Sequence, residues 1–463
     1  MPITLRPYQQ EAVAAIRQQY ASGHRAVLFV LPTGGGKTVV FSHIAEQAAA
    51  KGNRIAVLVH RVELLNQASL SLTAMGVRHG LIAAGRSMDL SAPVQVASVA
   101  TLARRLDKLP PGLFQLLVVD EAHHSNAGTW AKVLQHFSRA RVLGVTATPV
   151  RTDGRGLGEW YSSMVLGPSP AWLTDHGYLA PARVLAPPGF SVQGLRRRMG
   201  DFDMKQASEM LGAGKAMGDC LSHYQQHLNG QTAIAFCCSV SHAEAVADLF
   251  NRHGIAAASI GGTMDGPTRQ RLLADLGSGA IKVLTSCSLI GEGVDVPSVA
   301  GCILLRPTQS EALHLQMIGR CLRPQQGKRA VILDHVGNSH RHGLPTDPRE
   351  WTLEGVTRRQ REAAPSVRVC SSCFCAMPSG KPECPECGYR FTPERRQLEH
   401  VDGELVELQR QAEQRERRTE QASARTIEEL TEIGRRRGMK NPRGWARHVL
   451  ASRQAKGQWA LVG

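Results

Sequence analysis

Residues 31–38 read Leu-Pro-Thr-Gly-Gly-Gly-Lys-Thr, and they follow directly on the apolar run AVLFV at 26–30. Apolar side chains on both faces of so short a run mark a strand buried in a parallel sheet. A strand that ends in three glycines and then continues into a helical pattern has the context of a phosphate-binding loop. Gly34, Gly35 and Gly36 let the backbone curl so that its N–H groups converge on an anion. A helix beginning near Lys37 adds the positive end of its dipole. Lys37 is then placed to reach β- and γ-phosphates, with Thr33 in the loop and the Thr38 hydroxyl positioned for Mg2+. One position departs from the G-x-x-x-x-G-K-[ST] spacing: Leu31 stands where a small residue is expected.

Outward from this loop the chain keeps one rhythm. The runs AVLFVL, RIAVLVH, VQVASVA, LFQLLVVD and ARVLGVTA alternate with segments of helical spacing as far as about residue 150. A second series follows: TAIAFCC, IAAASIGG, IKVLTSCS, AGCILLRP and AVILDHVG. The expected fold class is therefore α/β, with two tandem doubly wound parallel sheets and a cleft between them. The expected organisation is a first lobe over 1–185, a connector over 186–229 and a second lobe over 230–358. A small cysteine module at 366–392 and a charged helical region at 393–463 complete it.

Two further stretches give the loop its chemistry. LLVVDEAHH ends a buried run on Asp120 and Glu121, where two carboxylates are costly without a cation. Asp120 suits Mg2+, and Glu121 suits proton removal from an attacking water. In QMIGRCLRP, Gln316, Gly319, Arg320 and Arg323 recur at helical spacing, which predicts both arginines on one face. Supplied from the second lobe, they would meet a γ-phosphate only when the cleft closes.

DEAH at 120–123, TATP at 146–149, GEGVD at 291–295 and QMIGRCLR at 316–323 occur in the order of the superfamily 2 helicase motifs, and the chain resembles that family over roughly residues 3–340. LRPYQQEAV, HGYLAPARV and the terminal cysteine module look more narrowly like the bacterial RadD-type DNA helicases, and the shorter length fits a phage or prophage member. The resemblance implies two RecA-like domains and an ATP-dependent motor. It implies that Gln9 reads adenine, with Arg6 and Tyr8 beside it, and that Gly293 and Asp295 touch the nucleotide from the second lobe. It makes Thr146 and Thr148 the residues that couple hydrolysis to movement. It places His60, Arg61, Gln67, Ser98 and Thr101 on the nucleic-acid backbone. His123, Thr146-Ala147-Thr148 and Gln316-Met317-Ile318 resemble the DNA-translocating branch, so DNA, single-stranded, duplex or branched, is expected ahead of RNA. Strand separation, duplex translocation or remodelling without unwinding, and an ATP-gated DNA scaffold all share these motifs. Repair or replication proteins are the partners such an activity implies.

Of eleven cysteines, five fall between Cys370 and Cys387. Cys370-x2-Cys373 and Cys384-x2-Cys387 have the spacing of a four-thiolate Zn2+ site, in a module too small to fold without metal. From Ile433 onward the chain carries eight Lys or Arg and no acid, interleaved with Trp445 and Trp459. That pattern suits phosphate contact or a small helical hairpin with tryptophans in its core. The net charge of +16 favours a polyanionic partner. No signal pattern or apolar run of about 18–20 residues is present, so a membrane role is excluded and a cytoplasmic setting is expected.

Overall fold

The computed structural model describes residues 4–124, 128–151, 154–188, 190–198, 200–212, 215–262, 264–287, 299–355, 367–391, 420–421, 423–424, 426–439 and 441–459. They form two compact units, divided after Phe391.

The first sheet has seven strands: β1 (Ala26–Val30), β2 (Ile55–Val59), β3 (His79–Ile82), β4 (Val94–Ser98), β5 (Leu116–Asp120), β6 (Arg141–Thr146) and β7 (Ser163–Leu166). All pairings are parallel and the order is β3-β4-β2-β5-β6-β1-β7. β1, β2 and β5 are buried at every position, as their continuous apolar runs require. Helices α1 (Pro7–Ala21), α2 (Lys37–Ala50) and α3 (Val62–Ala74) are among those covering the sheet. Parallel pairing puts the ends of β1, β5 and β6 side by side. The glycine loop, Asp120 and Thr146 therefore meet in the crevice beyond the carboxyl edge.

The second sheet orders six strands as β12-β13-β11-β14-β15-β8. They are β8 (Ala182–Leu185), β11 (Ala233–Cys237), β12 (Ala257–Ile260), β13 (Val283–Ser286), β14 (Gly301–Leu305) and β15 (Ala330–Asp334), with a short hairpin of β9 (Arg197–Arg198) and β10 (Asp201–Phe202) between β8 and β11. Two expected boundaries are corrected here. Residues 182–185 pair in parallel with β15, so the chain has already entered the second lobe before 185. The expected connector is also part of that lobe. Cys220, Leu221, Tyr224 and Leu228 are buried in its core, with Tyr224 edge-on to Phe250 at 5.1 Å. Their apolar spacing on a helix commits that face to burial, which no free linker would do.

The lobes are joined twice. The first crossing runs from β7 through helix Pro170–Asp175 to β8. The second returns: Trp351 and Leu353 pack on the first lobe's core, Gly158 N–H donates to the Leu353 carbonyl at 2.9 Å, and Gly355 bridges to Arg155. Gly156 is obligatory at this crossing, since a Cβ there would lie 1.9 Å from the Leu353 carbonyl oxygen.

The cysteine module is likewise no separate body. Its hairpin, β16 (Val367–Val369) with β17 (Ala376–Pro378), continues the second sheet's edge, because Cys375 bridges Leu185 and Ala186 N–H donates to the Phe374 carbonyl at 2.8 Å. In the second unit, helices Ile427–Arg436 and Pro442–Trp459 enclose Leu430, Ile433, Ala446 and Val449. Trp445 packs beside that core with the Arg437 guanidinium 5.9 Å from its ring, while the Trp459 side chain lies outside the described residues. Among the described residues no helix is long and apolar enough to cross a membrane.

Candidate active site

The glycine loop is built by exclusion. Gly34 and Gly36 both adopt φ near +87°, the left-handed region, and Gly36 caps α2. A Cβ at Gly36 would lie 2.5 Å from Gln9 Nε2, and one at Gly34 would lie 2.8 Å from Leu179. Leu31, the departure from the usual spacing, is fully buried. Its side chain would be 2.8 Å from a Cβ at Gly35 and 2.6 Å from one at Gly167, so two glycines elsewhere make room for it.

Lys37 Nζ donates to the Leu31 carbonyl at 3.2 Å. Burial pulls its pKa below the usual lysine value. Asp120 and Glu121 oppose that shift, and Arg320 and Arg323 reinforce it. Five charged groups from both lobes thus share one field. They line a cleft of about 750 Å³ with Thr33, Thr38 and Gln270. The helix carrying Gln316 is shorter than its spacing predicts. It ends at Gly319, with Arg320 at its cap and Arg323 beyond it, yet both arginines face the cleft. Gly319 approaches the loop so closely that a Cβ there would sit 2.6 Å from Thr33 Cβ. The helix stops where the two lobes touch.

Behind the carboxylates a polar relay crosses the cleft. His123 Nδ1 lies 3.2 Å from Thr146 Oγ1 and 3.5 Å from Glu121 Oε2, and its Nε2 lies 3.5 Å from Gln316 Nε2. Thr146 Oγ1 donates to the Thr148 carbonyl and accepts from Thr148 N–H. Glu121 holds φ +50°, a strained value for a non-glycine residue, immediately after Asp120. Glu121, the Thr146–Thr148 turn and the second lobe therefore meet at one imidazole.

Gln9 is 3% exposed and its amide serves the loop: Oε1 accepts from Arg6 N–H at 3.0 Å and Nε2 donates to the Gly35 carbonyl at 3.2 Å. One amide proton and one lone pair remain for a base. Tyr8 stands beside Gln9, and its hydroxyl donates to the same carbonyl at 2.7 Å. Arg6 lines the cleft and stacks on Tyr178, 4.8 Å from the ring centroid.

The expected nucleic-acid residues scatter. His60 and Arg61 line a second interlobe cavity, together with Glu63 and Arg269. Gln67 lines the cleft of Lys37 and Asp120 instead. Ser98 precedes helix Val99–Ala103, which contains Thr101. Gly293 and Asp295 lie outside the described residues. Glu63 and Arg269 form an ion pair across the lobes, a contact between residues far apart in the chain that no local pattern announces.

The four cysteines are brought together. Cys370 and Cys387 sulfurs are 3.6 Å apart, as are those of Cys373 and Cys384, and all four lie within 4.8 Å of one another. Disulfides would need about 2.05 Å. A tetrahedron of Zn–S bonds of about 2.3 Å has edges of about 3.8 Å, which the set fits. Glu386, inside the second knuckle, pairs with Arg183 and Arg329 of the second lobe and fixes the module to it.

Residues 2–151 match the family described as "Type III restriction enzyme, res subunit", and residues 215–325 match "Helicase conserved C-terminal domain". The chain is 33% identical to a "51.5 kDa protein" of a Lactococcus phage (isolate 7-9), over 81% of this chain and 82% of the relative. It is 31% identical to "Putative mitochondrial ATP-dependent helicase irc3" of Schizosaccharomyces pombe, over 77% of this chain but only 60% of that longer protein. Among solved structures, a fragment of "a putative HsdR subunit of a type I restriction enzyme" from Vibrio vulnificus YJ016 shares the fold, with a TM-score of 0.59 at 23% identity. That match covers 73% of this chain and 66% of that one.

Proposed function

The chain belongs to the superfamily 2 helicases as an ATP-hydrolysing member, and from that premise we propose that it couples hydrolysis of Mg–ATP to movement along, or unwinding of, DNA. The observation that carries the reading is the convergence of Lys37, Asp120 and Glu121 from one lobe with Arg320 and Arg323 from the other in a single cleft.

In this reading the loop's amides and Lys37 hold the β- and γ-phosphates. Thr38 and Asp120 would hold Mg2+, which when bound neutralises charge on those phosphates. Glu121 takes the proton of the attacking water. Arg320 and Arg323 stabilise the charge that develops on the transferred group, and do so only with the cleft closed. Arg6 and Gln9 border the adenine side. His123 reports the state of Glu121 to Thr146, Thr148 and Gln316, tying hydrolysis to lobe motion. The cysteine set takes Zn2+ as a clamp on the second lobe's edge.

DNA is preferred to RNA on the choice of His123, Thr146 and Gln316 in their motifs, and on a net charge of +16. The test is ATP turnover with single-stranded, duplex and forked DNA and with RNA, beside a strand-displacement assay. Stimulation by DNA with displacement supports a helicase. Stimulation without displacement supports a duplex translocase. DNA binding with no stimulated turnover would leave a scaffold and refute the motor.

A further inference from the structure

The hairpin β9–β10 carries Arg196, Arg197 and Arg198, all exposed. None of the three has a carboxylate partner among the described residues. Exposed arginines are ordinarily no more than solvated charge. These differ in that both backbone polar groups of Arg196 are hydrogen-bonded, and Arg197 and Arg198 pair with Phe202 and Asp201. Asp203 N–H donates to the Arg196 carbonyl at 2.8 Å, and Arg196 N–H donates to Gln206 Oε1 at 2.9 Å. Phe202 is 5% exposed, with the Arg341 guanidinium over its ring at 5.5 Å, and Leu195 is buried.

The acid within the hairpin does not neutralise these arginines. Asp201 faces the lobe: Oδ2 accepts from Thr308 Oγ1 at 3.0 Å and Oδ1 from Gln309 N–H at 2.6 Å, with Arg306 at 3.9 Å. Thr308 Oγ1 in turn accepts from Ser310 N–H at 3.0 Å, and the Ser310 hydroxyl caps helix Glu311–Gly319. That helix bears Gln316 and delivers Arg320 to the cleft. A chain of hydrogen bonds thus runs from Asp201, the ladder partner of Arg198, to the helix that reaches the cleft.

We propose that the β9–β10 hairpin grips the phosphate backbone of the nucleic acid through Arg196 and Arg198, which share one face of the strand, and that Asp201 transmits that grip to helix Glu311–Gly319. Guanidinium groups bind phosphate in bidentate fashion, and alternate residues on a strand, here Arg196 and Arg198, are about 6.6 Å apart, a step comparable with that between successive phosphates. The proposal rests on the motor reading above and adds to it an element that senses the bound strand.

The test uses the full chain and a labelled single strand. Replacing both, R196S/R198S, removes two phosphate contacts. The slope of log K against log salt then flattens by about 1.4, at about 0.7 per contact on a single strand. Replacement by lysine at both positions keeps the slope. Asp201→Asn keeps the slope but loses most of the stimulation of ATP turnover by DNA. Circular dichroism and melting curves check that each variant is folded. An unchanged slope in the serine variant, with wild type binding the strand normally, overturns the hairpin's role and leaves the motor reading standing. A wild-type protein that neither binds nucleic acid nor responds to it overturns both.

Discussion

Gly319→Ala tests the cleft with one methyl group. The added Cβ would lie 2.6 Å from Thr33 Cβ, 2.9 Å from its Cγ2 and 3.2 Å from its Oγ1. Carbon atoms prefer separations of about 3.5–4.0 Å, so the contact is too short by about 1 Å. Thr33 stands in the glycine loop and Gly319 ends the opposing helix, so the atoms that would have to yield belong to two lobes. Overpacking of this kind costs about 1–3 kcal/mol, and the lobes can escape it by separating. At about 1.4 kcal/mol per decade, the closed form falls by about 5- to 150-fold, and ATP turnover falls with it, because only closure brings Arg320 and Arg323 to the phosphates. The melting temperature barely moves, since each lobe keeps its own core. Steady-state hydrolysis and a thermal melt on the same sample separate the two effects. Adding Thr33→Gly, which deletes the obstructing atoms, should raise turnover above that of Gly319→Ala alone. A Gly319→Ala protein that hydrolyses ATP within about twofold of wild type would refute both the closed contact and its part in catalysis.

Lys37→Ala should abolish hydrolysis, whereas Glu121→Gln should keep ATP bound while turnover drops by about 10²–10⁴-fold, read by nucleotide binding beside phosphate release. Arg323→Ala should bind ATP nearly normally yet turn over at least about a hundredfold more slowly, since an arginine given across a cleft contributes about 10³–10⁵ in rate; weakened binding at unchanged turnover would count against it. Cys384→Ser should lose stoichiometric zinc and lower the melting temperature of the second lobe, because Cys370, Cys375, Met377 and Cys384 share its core with Leu185 and Val331; unaltered melting after zinc loss would contradict the docking described. Acid should weaken the fold through His335, which burial holds neutral with its pKa drawn down to about 3. The unfolded chain takes up that proton below about pH 6.5 and the folded chain does not, so stability is full above pH 6.5 and falls by about 1.4 kcal/mol per pH unit toward pH 3. A melting temperature that held or rose between about pH 7.5 and 5.5 would contradict this.

The ten apolar runs read from the sequence all became strands, because a parallel strand buried on both faces must be apolar throughout. β3, β7 and β8 escaped notice. They lie in the sheets' outer parts, and their four-residue stretches carry His79, Ser163 or Arg183 where a central strand would carry valine. The glycine loop and the Asp120–Glu121 pair could be placed from the sequence because each lies within a few residues of a strand end. What the sequence hid was contact across the cleft: Gly319 on Thr33, Gln316 on His123 and Arg269 on Glu63. Such pairs depend on how two lobes face each other, and no local spacing encodes that. The cysteine spacing predicted the cluster of four sulfurs but not its address. The Leu185–Cys375 bridge and the Glu386 pairs are tertiary facts.

The two crossings between the lobes have a mechanical consequence. Leu166, Gly167 and Pro170 of the outgoing strand and Pro345, Arg349 and Trp351 of the returning one line a single cavity of about 190 Å³, so the tethers run side by side. A body held by one cord can spin and drift; held by two adjacent cords, it is left mainly with a swing about the line joining them. In the proposed motor, work done at the phosphates would then go into that one swing and not into twist, with the cavity lying between the two cords.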